Sequence, residues 1–319
     1  MTAKASTASW NILITDGLQD SAIDILKQAA RVQNRPDLPA DELLKIIPSV
    51  DALIVRGRTK VTADVFSAAS QLKAVGRAGV GVDNIDLNAA KAKQVVVVNA
   101  PQSTSVAVAE HTFALLLSLA RHVPKADAGL RRGEWLKKKL NGFELSGKTL
   151  GVIGMGRIGT LVVARATAFG MTCLGYDLLI PSEEITKRGA QPTPLNDLLK
   201  QADILTLHVP LTPDTRGLIS AERIAQMKPG AYIVCTARGK VIDEAALLEA
   251  LDSGRIAGAA LDVFAIEPVV DSPLVKHPNV VCTPHIAAQT AEAQDRAARD
   301  IAEEILTVLR GEPPRWRVA

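Results

Sequence analysis

The chain has 319 residues, 47% hydrophobic and 22% charged, with 37 Lys and Arg against 34 Asp and Glu for a net charge of +3. That length suits two domains rather than one core, and the composition excludes a disordered chain. So small a net charge leaves no bulk electrostatic footprint for nucleic acid or a membrane surface, so neither is expected as a partner.

The opening residues MTAKASTAS are small and polar, without the apolar stretch of a secretory signal, and no later run approaches the roughly 20 apolar residues of a membrane span. The expected compartment is the cytoplasm. Strand-like runs then alternate with helical ones: NILIT (11–15), DALIVRG (51–57), LKAVGRAG (72–79) and QVVVVNA (94–100), with the helical SAIDILKQAA and PADELLKIIPSV before the second. Asp83 and Asp86 precede LNAAKAK as caps or first-turn acids. VAVAEHTFALLLSLARHV (106–123) is apolar on more than one face and predicts a helix buried on both sides. The polar KADAGLRRGEWLKKKLNGFELSGK that follows has no strong apolar period and reads as a linker or an extended arm.

A second alternation comprises TLGVIG (149–154), MTCLGYD (171–177), DILTLHV (203–209), AYIVCTA (231–237), GAALDVF (258–264) and NVVCTP (279–284). An amphipathic helix near 290–310 follows, stopped by Gly311 and Pro313. The pattern is that of an α/β protein with parallel sheets covered by helices. Cys173, Cys235 and Cys282 lie far apart in apolar runs, which predicts reduced core residues and neither a disulfide framework nor a metal set.

The strand TLGVIG runs into Gly154-Met155-Gly156-Arg157-Ile158-Gly159 and then a helical run. A lone GxGxxG is weak, but this one sits between a strand and a helix, and a second strand ends at Asp177, 18 residues after Gly159. Gly154 suits the tight turn, Gly156 the approach of backbone to a pyrophosphate, Gly159 close packing of helix on strand, and the helix N-terminus the anion itself. Asp177 is expected to accept from both ribose hydroxyls and to repel a 2′-phosphate, so the expected cofactor is NAD rather than NADP.

Arg238, Glu267 and His285 each fall just beyond a strand of this second sheet, where open α/β sheets bind ligands. Reducing a keto acid needs a cation for its carboxylate and a proton donor for the nascent alkoxide. A guanidinium fork supplies the first, and a His oriented by a carboxylate the second. Taken singly, each residue would read as a surface ion pair, a solvated acid or a capped core histidine; their shared placement favours the catalytic reading. His111 and His122 belong to the long helix and its end, His277 sits in a polar turn, and His208 ends a strand at the edge of the cofactor groove; none shares that placement.

The set GMGRIG, TARGKVIDEAAL, GAALDVFAIEP and TPHIAAQT resembles the D-isomer-specific 2-hydroxyacid dehydrogenases along nearly the whole chain. The resemblance implies two Rossmann-like or flavodoxin-like domains with a cleft between them: a substrate domain from 1–100 plus 290–319 and an NAD domain from 101–289. It implies substrate binding and proton relay by Arg238, Glu267 and His285. The expected cofactor contacts are Gly154, Gly156, Arg157, Ile158, Gly159 and Asp177, together with Val80, Pro210, Thr236 and Asp262. Lys240 and Ala287 depart from residues usual in the family.

LIVRGRTKVTADVF, GRAGVGVDNID and GEWLKKKLNGFELSGK are most similar to the branch acting on 3-phosphoglycerate. A small 2-hydroxy or 2-keto acid carrying a phosphate is then expected, with Arg56, Gly57, Arg77 and Gly79 joining Arg238 in holding it, and with a homodimer built on the long helix and the arm. Lys137, Lys138 and Lys139 of that arm are further candidates for the phosphate, reaching toward the partner's site. The chain ends soon after its last helix, so the regulatory domain of many members, and with it any response to serine, is expected to be missing. Two alternatives stay open: a glyoxylate or hydroxypyruvate reductase of the same family, and an NAD-sensing corepressor-like protein.

Overall fold

The computed structural model describes residues 10–319. The segment 1–9, read above as lacking a secretory signal, lies outside the described residues. The described residues form two compact units, one comprising 10–104 together with Gln289–Ala319, the other Ser105–Ala288.

The first unit is built on a parallel sheet of β1 (Trp10–Ile14), β2 (Ala30–Asn34), β3 (Ala52–Val55), β4 (Ala74–Arg77) and β5 (Val96–Asn99) in the order β2-β1-β3-β4-β5, the flavodoxin-like arrangement. Successive side chains of a strand face opposite sides, and a parallel sheet is covered on both. Ile12, Ile14 and Ile54 therefore pack with Ile301 and Ile305 of the final helix Ala291–Leu309, while Leu13, Leu53, Val55 and Val97 pack with Leu43 and Phe66 on the other face. Burying each such side chain stabilises by roughly 1.5–3 kcal/mol. The final helix starts where the Thr290 hydroxyl accepts from the Ala293 amide and ends before Gly311, whose φ of +78° no β-branched residue would tolerate. The tail returns along the outer edge of β5, Val318 donating to the Val97 carbonyl at 2.7 Å, which covers an otherwise open sheet edge.

The second unit holds β6 (Thr149–Ile153), β7 (Thr172–Tyr176), β8 (Gln191–Pro192), β9 (Ile204–Leu207), β10 (Ala231–Cys235), β11 (Ile256–Leu261) and β12 (Val280–Cys282), all parallel, in the order β12-β11-β10-β9-β6-β7-β8. From β6 onward this is the dinucleotide-fold order 3-2-1-4-5-6 with one strand added beyond the sixth. Helix Ser105–Ala120 buries Phe113, Leu116 and Leu119 against Leu150, Val152, Val234 and Ala260 of the sheet, which explains its apolar character. Among the described residues no single helix is long and apolar enough to cross a membrane.

Three sequence expectations are corrected. The helical reading of SAIDILKQAA runs too far: the helix stops at Lys27 and the edge strand β2 begins at Ala30. The long helix ends at Ala120, and His122, at φ +52°, stands immediately before a second helix, Val123–Arg131, inclined 63° to the first. The front of the segment read as a linker or an extended arm is therefore helical. Asp86 is a cap as expected, accepting from the Ala89 amide at 2.9 Å. The three cysteines are free thiols, Cys173 and Cys235 buried and Cys282 half-buried, and burial pushes the Cys235 and Cys282 thiols up to about 11.

Candidate active site

The sheet order of the second unit sets β6 beside β9, and the chain leaves these two strands in opposite directions. That is the switch point at which open α/β sheets receive nucleotides. The Gly-rich turn sits there. Gly154 takes φ +97°, and a Cβ on it would lie 2.6 Å from the His208 carbonyl. A Cβ on Gly159 would meet the Gly154 carbonyl oxygen at 2.0 Å, whereas one on Gly156 would meet nothing within 4 Å. Two glycines are thus required by protein packing, and the middle one leaves an open cradle. Helix Arg157–Ala168 starts at Gly156 with no side chain capping its first amides, as a phosphate-binding helix requires. These residues fit a dinucleotide, with Arg157 exposed and Ile158 half-buried at the mouth of the turn.

Asp177 lies beside this turn, with its carboxylate already engaged. It accepts from the amides of Met155 (2.8 Å), Leu179 (2.9 Å) and Ile180 (3.2 Å), and Arg188 Nη1 donates to the Met155 carbonyl at 2.6 Å. The Met155 peptide is held from both ends, and Arg188 is itself steadied by Glu184 at 2.9 Å. A carboxylate offers about four lone-pair positions. Three are used within the protein, so the grip on two ribose hydroxyls expected from sequence has room for one direct bond in this conformation. Asp177→Ala is accordingly expected to weaken NADH binding by about tenfold or more and to narrow the NAD over NADP preference, because it removes the expected ribose acceptor and releases the Met155 amide together. Fluorescence titration with NADH and NADPH checks this; a wild-type protein that binds NADPH more tightly overturns it.

Of the other expected cofactor contacts, Pro210 is exposed beyond β9, and Thr236 is buried with its hydroxyl 3.0 Å from that of Thr112. His208, whose backbone abuts Gly154, pairs its Nε2 with the Thr206 hydroxyl at 2.9 Å, and burial pushes its imidazole down to about 3, so it stays neutral. Val80 belongs to the first unit, exposed, with its carbonyl accepting from the Asn99 amide group at 2.7 Å.

The three catalytic candidates follow β10, β11 and β12, which are adjacent in the sheet. Arg238 leaves β10 half-buried, with Nη1 donating to the Ala237 carbonyl at 2.8 Å. Gly239 then crosses the backbone of the β11 loop so closely that a Cβ would lie 1.9 Å from the Phe264 carbonyl carbon. That crossing brings the Arg238 and Glu267 loops together. Glu267 Oε1 accepts from the Phe264 amide at 2.9 Å, and Oε2 meets His285 Nδ1 at 2.7 Å. Burial pushes the Glu267 carboxyl up, but the bonds from His285 and Phe264, with the charges of His285 and Arg238, outweigh it and hold the group below the ordinary carboxylate range. The peptide from Glu267 to Pro268 is cis. His285 adopts φ +53°, a left-handed conformation costing about 1–3 kcal/mol for a residue with a Cβ. Its amide donates to the Asp262 carbonyl at 2.8 Å.

Asp262, expected near the nicotinamide, is 0% exposed and looks inward. It accepts from the Thr283 hydroxyl (2.6 Å) and from the amides of Ile286 (2.8 Å) and Ala287 (2.9 Å), so it anchors the loop that carries His285. Burial pushes its carboxyl up, and the bonds from His111, Thr283, Ile286 and Ala287 more than reverse that. Sequence reasoning set His111 aside; its Nε2 lies 3.0 Å from the Thr283 hydroxyl and 3.4 Å from Asp262 Oδ1. The only sequence signal was its helical register, one face of which turns toward β11 and β12.

In the first unit, Asp16 follows β1 and ties down the loop after β3, accepting from the amides of Arg56 (2.7 Å) and Thr59 (3.1 Å). Arg58 donates to Asp16, Asp37 and the Thr15 carbonyl, which makes it a structural cation. Arg56 is half-buried; desolvation lowers its guanidinium's pKa against the opposing pull of Asp16. The Arg77 guanidinium lies over Gly79, where a Cβ would fall 1.5 Å from Nη1, and a Cβ on the exposed Gly57 would be 4.0 Å from Nη2. Arg56, Gly57, Arg77 and Gly79 therefore form one cluster at the ends of β3 and β4, while Arg238, Glu267 and His285 form another at the ends of β10 to β12.

Residues 113–287 match the model of the D-isomer specific 2-hydroxyacid dehydrogenase NAD-binding domain, a span that includes the Gly-rich turn and all three catalytic candidates. The chain is 54% identical over 302 residues to a D-3-phosphoglycerate dehydrogenase of Methanocaldococcus jannaschii, covering 94% of this chain and 58% of the relative. It is 46% identical over 301 residues to a D-3-phosphoglycerate dehydrogenase of Rattus norvegicus, covering 94% and 56%. It thus spans little more than half the length of these relatives. Among solved structures, a protein from Thermus thermophilus superposes with a TM-score of 0.89 at 38% identity over 97% of this chain and 100% of that one. A glyoxylate reductase from Paecilomyes thermophila gives 0.89 at 29% identity, covering 98% of each chain. The chain belongs to the D-isomer-specific 2-hydroxyacid dehydrogenases.

Proposed function

We propose that this chain catalyses the NAD-linked oxidation of D-3-phosphoglycerate to 3-phosphohydroxypyruvate, and its reversal, as a cytoplasmic homodimer. The observation that carries the chemistry is the 2.7 Å pair of His285 and Glu267 beside Arg238. The choice of substrate is supported by relatives 54% and 46% identical that bear the name of that activity. Val123, Leu130 and Trp135, all exposed around the second helix and the arm, support the dimer.

The protonation pattern follows from the geometry. Glu267, held ionised, can only accept, so His285 carries its hydrogen on Nδ1 and exchanges protons at Nε2. In the oxidation, neutral His285 takes the substrate hydroxyl proton on Nε2 and becomes an imidazolium paired with Glu267. In the reduction it returns that proton to the keto oxygen. Arg238 holds the substrate carboxylate through its planar fork. Bound NAD supplies the hydride acceptor. A panel of phosphorylated and unphosphorylated 2-hydroxy acids with NAD tests the reading. Preference for glycolate or D-glycerate over 3-phosphoglycerate would favour the glyoxylate reductase alternative, and no turnover at all a binding protein.

A 3-phosphoglycerate phosphate carries roughly two negative charges and needs cations besides Arg238. Arg56 and Arg77 are assigned to it; Arg58, engaged with Asp16 and Asp37, is not. Arg56→Ala or Arg77→Ala is expected to raise KM for 3-phosphoglycerate by about tenfold or more, with far less effect on an unphosphorylated analogue. Equal losses on both substrates in steady-state kinetics would remove the phosphate assignment.

A further inference from the structure

We propose that His111 is a positioning residue for the proton relay, acting through the Thr283 hydroxyl and the Asp262 carboxylate on the backbone that carries His285. The proposal rests on the dehydrogenase reading above.

Hydrogen counting fixes the direction of the contacts. The Thr283 hydroxyl has one hydrogen, given to Asp262 Oδ1 at 2.6 Å, so at 3.0 Å from His111 Nε2 it accepts, and His111 carries a hydrogen on Nε2. The same nitrogen is 3.4 Å from Asp262 Oδ1. Asp262 in turn takes the amides of Ile286 and Ala287, the two peptides that follow His285, while its own carbonyl takes the His285 amide. The left-handed turn at His285 is therefore clasped from both sides by one residue.

What holds that residue in place is a second matter. Thr283, Ile286 and Ala287 all lie on the loop being positioned, so their bonds to Asp262 can shift together with it. His111 comes from elsewhere: helix Ser105–Ala120, which is fixed in the core by Phe113, Leu116 and Leu119. It ties the fully enclosed carboxylate to a rigid support. Because Nε2 of His285 must meet a hydroxyl proton at hydrogen-bond distance, a loop displaced by about 1 Å costs about 10²-fold in rate without disturbing the Gly-rich turn that receives the cofactor.

The test compares His111→Leu, which keeps bulk and removes the donor, with His111→Gln, whose amide nitrogen reaches about as far as the imidazole Nε2. His111→Leu is expected to lower kcat by about 10–100-fold with the NADH dissociation constant within about threefold of wild type, and His111→Gln to recover most of the loss. Thr283→Val breaks the same chain at its next link and serves if His111→Leu does not fold. Histidine-selective NMR gives a second readout: the His285 ring signal should shift or broaden in His111→Leu and Thr283→Val and return toward its wild-type position in His111→Gln. A wild-type kcat and an unmoved His285 signal in the donor-less variants would overturn the proposal, as would a loss confined to NADH affinity. Should the wild-type chain turn over no 2-hydroxy acid, the dehydrogenase reading fails, while the His285 signal still decides whether His111 positions that loop.

Discussion

His285→Ala is expected to lower kcat by about 10²–10⁴, the range supplied by a positioned general acid–base, with NADH affinity nearly unchanged. The separation of effects follows from placement. His285 stands after β12 at one edge of the sheet, while the Gly-rich turn after β6 and Asp177 after β7 lie on the far side of β9. Removing the imidazole deletes the group proposed to exchange a proton with the substrate oxygen and leaves the Glu267 carboxylate without its partner at 2.7 Å. It leaves the open face of Gly156 and the clamp on the Met155 peptide as they are. Alanine also accepts the φ of +53° no better than histidine, so little backbone strain is relieved. Single-turnover measurements with NADH binding titrated in parallel check this. Full activity in the variant would mean that another group moves the proton and that the pairing with Glu267 is structural.

How much of this was legible in the sequence depends on where each strand lies in its sheet. Central strands are covered on both faces and read as continuous apolar runs, so ALIV of β3, TLGVI of β6 and ILTL of β9 stand out. Edge strands are covered on fewer sides. ARVQN of β2 buries none of its residues fully, and β8 has only Gln191 and Pro192, so neither run announces itself. The arm misled for a related reason: Val123–Arg131 carries Lys125, Asp127 and Arg131 and buries only Gly129 within this chain, so its period could not be told from that of a polar linker.

The site was legible where backbone chemistry dictates residue type. Gly154 and Gly159 are demanded by contacts that no Cβ survives, and Glu267 and His285, singled out by their positions after successive strands, lie 2.7 Å apart. What could not be read was the use made of lone pairs. Asp177 and Asp262 look alike as acids beyond strand ends, yet one clamps the Met155 peptide and the other, fully enclosed, anchors the His285 loop. His111 sits 151 residues before Asp262 in the chain, and only the packing of its helix on β11 and β12 brings the two within 3.4 Å.

Arg238→Gln is expected to lower kcat/KM by about 10²–10³, equivalent to about 2.7–4 kcal/mol, through loss of a charge-assisted fork on the substrate carboxylate. The same variant has a second signature with a definite sign. The Arg238 charge is one of the influences holding the Glu267 carboxyl below its ordinary range, so removing it moves that carboxyl upward. The ionised form that orients His285 is then lost at a higher pH as the solution is acidified, and the acid limb of the kcat/KM profile shifts to higher pH. Arg238→Lys separates the two roles: a compact ammonium restores charge near Glu267 but not the planar pair of donors. It should return the acid limb toward its wild-type position while leaving KM for the acid substrate raised. Full pH profiles of both variants decide it. A Gln variant whose acid limb stays in place would show that Arg238 serves the substrate alone, and a Lys variant with wild-type KM would show that charge rather than the fork holds the carboxylate.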